Sequence, residues 1–136
     1  MNKNKKKKLL IIGSVLLTLV LTIGVVIFIM VNNFNKQLEA LNYQEVDMTT
    51  VADGIYKGVS ETSMVKATVE VTVTDHKITD LKILNHDNGR GKDAEAIIDD
   101  IVAKNSCDVD AVSGATASSK VIKSAVRNAL IQGISK

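Results

Sequence analysis

Between residues 108 and 119 the chain reads Asp108-Val109-Asp110-Ala111-Val112-Ser113-Gly114-Ala115-Thr116-Ala117-Ser118-Ser119, small hydroxyl residues gathered around one glycine. A helical pattern follows, in which Val121, Ile122, Ala125, Val126, Ala129 and Leu130 form a broad apolar stripe. The first N–H groups of a helix lack intrahelical acceptors and sit at the positive end of its dipole, so such a place receives phosphate. Gly114 and Ala115 leave room for close approach. The same string also reads as a capped turn, with Ser or Thr at the N-cap and glycine at the bend. The residue types alone leave both readings open. Elsewhere no group has the spacing of a general base, a nucleophile or a metal-ligand set. Cys107 has no basic neighbour in sequence to activate it and reads as a small, half-buried residue. His76 falls in a turn and is expected to be exposed.

A sheet and two helices must position that string. Val65, Ala67, Val69, Val71 and Val73 alternate with Lys66, Thr68, Glu70, Thr72 and Thr74, which predicts a strand with one wet face. Asp75-His76-Lys77 makes the turn, and residues 78–84 return as the next strand. Asp53-Gly54 is a second turn signal, followed by a short strand over residues 55–59. Residues 85–91 read as a loop. After it Ala94, Ile97, Ile98 and Ile101 recur at helical spacing, with Asp93, Glu95, Asp99 and Asp100 opposite. The expected fold class is α+β: a small antiparallel sheet of three or four strands with two helices packed on one face.

The string Asp110-Ala111-Val112-Ser113-Gly114-Ala115-Thr116 resembles the flavinylation motif D-x-x-[S/T]-G-A-[T/S] of the FMN-binding domain family. That domain occurs in subunits of sodium-pumping quinone reductases and ferredoxin-linked membrane oxidoreductases, and in single-domain surface flavoproteins. The resemblance begins near Asp53-Gly54-Ile55-Tyr56-Lys57-Gly58, continues through the valine strand and Lys77-Ile78-Thr79-Asp80, and runs past Ser119 to Leu130. It implies FMN as cofactor, bonded through its phosphate to Thr116 by a magnesium-dependent flavin transferase. It further implies a cofactor-binding set of Thr116, Ser113, Gly114, Ala115, Ser118 and Asp110, with no catalytic or metal-binding residue. Ser113, Ala115 and Ser118 offer donors to the phosphate, and Gly114 permits the backbone geometry. Asp110 would be repelled by a phosphate, so it is expected to brace the turn or to meet the transferase and its metal. Some family members carry a longer glycine-rich stretch before the first helix. Here it is residues 86–92, where His86, Arg90 and Lys92 read either as ring-facing groups or as solvated loop charges. The soluble part has only Tyr43 and Tyr56 and no Trp, too little for an aromatic sandwich around a free flavin. An ester bond suits that composition, because it also stops loss of cofactor by mass action.

Residues 9–31 form a run of 23 without a charge. As a helix they extend about 35 Å, against about 30 Å for a bilayer core. The run is apolar all round, so it spans rather than lies at the interface. It is longer than a signal-peptide core, and it ends Ile29-Met30-Val31-Asn32-Asn33 without small residues at A-x-A spacing, so it reads as a retained anchor. Lys3, Lys5, Lys6, Lys7 and Lys8 precede it and only Lys36 soon follows, which puts the N-terminus in the cytoplasm and the domain outside. The expected organisation is a basic start (1–8), a transmembrane helix (9–31), a stalk (32–49) and an FMN-binding domain (50–136). In the stalk, Phe34, Leu38 and Leu41 fall at i, i+4 and i+7, which extends the helix by two or three turns. From Asn42 onward 11 Lys and Arg meet 14 Asp and Glu, an acidic balance that excludes a nucleic-acid surface. One cysteine excludes an internal disulfide. The expected function is that of a single-pass extracytoplasmic flavoprotein of the cell membrane, held in lipid, relaying electrons from a membrane donor. The alternatives are an FMN-bearing subunit of a larger membrane redox complex and a non-redox surface or sensory domain. An electron carrier fits the residues better than a self-sufficient enzyme.

Overall fold

The computed structural model describes residues 2–87, 89 and 91–134. They fall into two compact units, Met1–Lys36 and Gln37–Lys136. The first is most of one helix, α1 (Lys3–Ala40). It contains an 18-residue window of mean hydropathy 2.9 with none of it buried in the protein, and it is long and apolar enough to cross a membrane. The three hydroxyls inside its apolar run are satisfied within the helix. The hydroxyls of Ser14, Thr18 and Thr22 donate to the carbonyls of Ile11, Val15 and Leu19 at 2.9, 2.9 and 2.8 Å. The helix continues to Ala40, as the spacing of Phe34, Leu38 and Leu41 anticipates. Leu38 at its end is buried, and the Gln37 side chain accepts from the Ser63 amide at 2.6 Å.

The second unit is built on a three-stranded antiparallel sheet in the order β1 (Gly54–Glu61), β2 (Lys66–Thr74), β3 (Lys77–Asp87). Alternation in β2 sends Ala67, Val69, Val71 and Val73 to one face, where each is buried. On the wet face the directly opposed pairs Lys57–Glu70 and Lys66–Glu61 come within 3.7 and 3.2 Å. Helix α2 (Ile97–Lys104), entered through a 3-10 turn (Lys92–Ala96), packs on β3. Helix α3 (Thr116–Leu130) lies across β1 and β2. Its stripe of Val121, Ile122, Ala125, Val126, Ala129 and Leu130 is wholly buried, and with the β2 valines and Ile97 and Ile101 it makes the core. The expected α+β architecture, with two helices on the sheet and a long apolar N-terminal helix, is what the chain adopts. Val51 bridges Ile134 beside an Ala52 N–H to Gly133 carbonyl bond of 2.8 Å, closing the unit near its two ends.

Helix α3 approaches β1 at Gly58. A methyl group placed there would lie 2.6 Å from the Ala129 nitrogen and closer still to the Ala125 carbonyl oxygen. The free edge of β1 is covered by the same helix. Asn128 donates to the Val59 carbonyl at 2.9 Å and Gln132 to the Lys57 carbonyl at 2.6 Å.

The β2–β3 turn has two left-handed residues, Asp75 (φ 51°) and His76 (φ 61°), where glycine or asparagine is usual. Long-range bonds hold it. His76 is exposed, as expected, with its Nδ1 2.9 Å from the Val51 carbonyl oxygen. Asn105 accepts from the Ile78 amide at 2.7 Å and donates to the His76 carbonyl at 3.2 Å.

Strand β3 differs from expectation. Simple alternation ends it at Leu84 and leaves Asn85, His86 and Asp87 in a loop, whereas the strand continues to Asp87. Thr68 pairs Asn85 while its neighbour Val69 pairs Ile83, so Leu84 is an inserted bulge residue. A bulge shifts the in–out pattern by one. His86, opposite Ala67, is thereby turned to the helix-covered face.

Candidate functional site

Helix α3 starts at Thr116, and its N-cap is Ala115, which has no side-chain group to cap it. The first intrahelical amide bond runs from Ser119 N–H to the Ala115 carbonyl at 3.0 Å. That leaves the N–H groups of Thr116, Ala117 and Ser118 without a protein acceptor among the described residues. The Thr116 side chain is exposed beside them. Gly114 takes φ +79°, a conformation that a residue with a Cβ rarely adopts, and its Cα side is open. Among the described residues the turn therefore ends with three free donors, one free hydroxyl and no side chain close to Gly114.

These groups line a cavity of about 170 Å³ with Val65 and Gly91: Gly114, Ala115, Thr116, Ala117 and Ser118. Ser118 is buried there. Pockets that enclose a whole drug-sized ligand run to roughly 300–1,000 Å³. This one has room for a phosphate-sized group rather than for a whole flavin nucleotide. A larger depression of about 560 Å³ is lined by Glu45, Val46, Asp47, Met48, Thr49 and Asn105. Its two carboxylates would repel a phosphate, so the smaller cavity is the better seat.

Of the six residues expected at the site, Thr116, Gly114, Ala115 and Ser118 come together around the cavity. Ser113 and Asp110 are exposed and do not line it. Asp110 makes no hydrogen bond or ion pair with the described residues, so it does not brace the turn. Ser119 does. Buried with no exposure, its Oγ accepts from the Val112 N–H at 3.0 Å and donates to the Ala115 carbonyl at 2.8 Å. Its place one turn before Ile122, in line with the apolar stripe, was the available signal, because a fully buried hydroxyl needs local backbone partners. We expect Ser119→Ala to lose about 1–3 kcal/mol of stability in urea unfolding, since it strands the Val112 donor.

Among the three ring-facing candidates, Arg90 lies outside the described residues. Lys92 is exposed and pairs with Glu95 at 3.2 Å. His86 is not a solvated loop charge. Its side chain is 1% exposed, with Nδ1 3.1 Å from Glu95 Oε1. The hydrogen bond from His86, aided by Lys92, holds the Glu95 carboxyl below its ordinary range against the opposing effect of burial.

Cys107 is fully buried rather than half-buried, and burial pushes its thiol up to about 11. At pH 8 the thiolate fraction is then about one in a thousand. We expect iodoacetamide to leave Cys107 untouched in the folded protein and to modify it on unfolding in urea, as peptide mass spectrometry would show.

The FMN-binding domain family model matches residues 64–131, half of the chain, a span that runs from the β1–β2 turn to just past the end of α3. The chain belongs to the FMN-binding domain family, and FMN is its cofactor. Comparison with curated proteins gave no match.

Proposed function

We propose that this flavin-binding protein is held in a membrane by residues 9–31, carries FMN as a phosphoester on Thr116, and relays electrons between a membrane donor and an extracytoplasmic acceptor. The observation that carries this reading is the exposed Thr116 hydroxyl at the first position of α3, next to three unclaimed N–H groups. Those groups would receive the phosphate oxygens, with Gly114 allowing close approach. Bound there, FMN supplies one- and two-electron transfer.

Attachment requires an activated donor. The Thr116 oxygen–phosphorus bond forms as the pyrophosphate bond of FAD breaks; AMP leaves, and the hydroxyl proton passes to the enzyme or solvent. A magnesium-dependent flavin transferase would perform this step, and the exposure of Asp110 just upstream is compatible with contact to it. Five lysines before the apolar run and one soon after it orient the domain outward.

A place in a larger membrane redox complex is the second reading, in keeping with the assemblies in which this family is often found. The internally bonded hydroxyls of Ser14, Thr18 and Thr22 favour the lone anchor, because none of them requires a partner helix inside lipid. The test is to express the full chain with a flavin transferase, isolate membranes, and denature. Yellow fluorescence retained at the protein band supports the reading. A colourless band, with the transferase active on a control substrate, sinks it. Co-purification of further redox subunits in mild detergent would replace the lone carrier by the complex.

A further inference from the structure

Building on Thr116 as the flavin-bearing residue, we infer that Lys123 is a positioning residue for the attachment step, tying the arm that leads to Gly114 onto the helix that presents Thr116. Lys123 stands four residues beyond Ser119 and seven beyond Thr116, so all three share one side of α3. It is only 7% exposed, yet its Nζ forms no ion pair among the described residues. Instead the ammonium donates to the Val109 carbonyl at 2.6 Å and lies 4.9 Å from the centre of the Tyr43 ring.

Taking an ammonium out of water without a counter-charge is costly. A leucine or methionine would fill the same space without that cost. The charge earns its directional bond to one place, the base of the arm. Lys123 holds the arm at Val109, and Ser119 holds it at Val112 and Ala115. Two side chains of one helix thus hold two points of the segment that ends at the left-handed Gly114, Val109 and Val112, and the Ala115 carbonyl just beyond it. Tyr43, on the chain that follows α1, sets its ring against the ammonium.

The chemistry is sensitive to this tie. As the new oxygen–phosphorus bond forms, the Thr116 oxygen must lie in line with the pyrophosphate bond that breaks, and a displacement of about 1 Å costs about a hundredfold in rate. An arm loose at Val109 lets Gly114 and the first turn of α3 sample other positions. The loss should fall on kcat for flavin transfer, with the transferase's KM for this protein little changed. A residue that served packing alone would lower the folded fraction and leave the rate per folded molecule as it was.

The test uses the full chain in nanodiscs with FAD, magnesium and a purified flavin transferase, scoring flavin incorporation per folded molecule. For Lys123→Met we expect a tenfold or greater fall in kcat, KM within threefold, and faster hydrogen–deuterium exchange over residues 109–115 but not over β2. Lys123→Arg should restore the rate to within threefold of the parent. If Lys123→Met fails to fold, Lys123→Gln and Tyr43→Leu are compared in the same way. Parent-like kcat with unchanged exchange at residues 109–115 overturns the positioning role alone. A parent chain that takes up no flavin brings down the Thr116 assignment together with it.

Discussion

Thr116→Val will give a full-length, folded protein from which all covalent flavin is missing. Valine is β-branched like threonine and of nearly the same size, and Thr116 is exposed at the first position of α3 with no hydrogen bond from its hydroxyl to the described residues. Replacement at such a surface position changes stability by about 0.5 kcal/mol or less. Phosphoester formation, by contrast, has no oxygen left to use. The two effects separate cleanly: thermal unfolding unchanged, fluorescence at the denatured protein band gone, and no flavin adduct in the intact mass. Thr116→Ser, which keeps the oxygen, should still be labelled. Equal fluorescence in Thr116→Val and the parent would place the attachment on another residue, and Ser113, exposed nearby, would be examined next.

Gly58→Ala will have the largest effect on stability of any glycine-to-alanine change at the described glycines. The new carbon would meet the backbone of α3 at Ala125 and Ala129, atoms that cannot rotate away as a side chain could. Relief requires α3 to lift from β1, and α3 contributes six wholly buried apolar side chains to the core. Overpacking of this kind costs typically 1–3 kcal/mol, and more where backbone must move; we expect about 3–5 kcal/mol. In a domain of this size, whose total stability is only about 5–15 kcal/mol, that is a large share. Urea denaturation monitored by circular dichroism should show the midpoint falling by about a fifth or more. A midpoint within experimental error of the parent would show that the helix lies farther from the sheet than described here.

The parts of this structure written in short-range periodicity were legible in the sequence. The valine strand, the apolar stripe of α3 and the charge-free run of α1 each repeat a single pattern, and each forms as read. Legibility failed where one residue breaks the period. The bulge at Leu84 shifted the alternation and hid both the end of β3 and the inward turn of His86. The motif string and the helix start after it singled out Thr116, Gly114, Ala115 and Ser118, and the fold brings these four to one cavity. It said nothing of Ser119 or Lys123, whose partners at Val112, Ala115 and Val109 are backbone groups. Backbone partners carry no letter in a sequence, so only the folded chain reveals which side chains hold them.

The amides of Asn128 and Gln132, seated on two carbonyls of β1, would have a consequence for a chain held in a bilayer as proposed above. Copies anchored in one leaflet would meet far more often than they would free in solution, and a bare rim would invite one sheet to stitch itself to the next. With those two carbonyls already occupied, the rim offers incoming chains little to grip, and crowding on the surface need not end in fibrils.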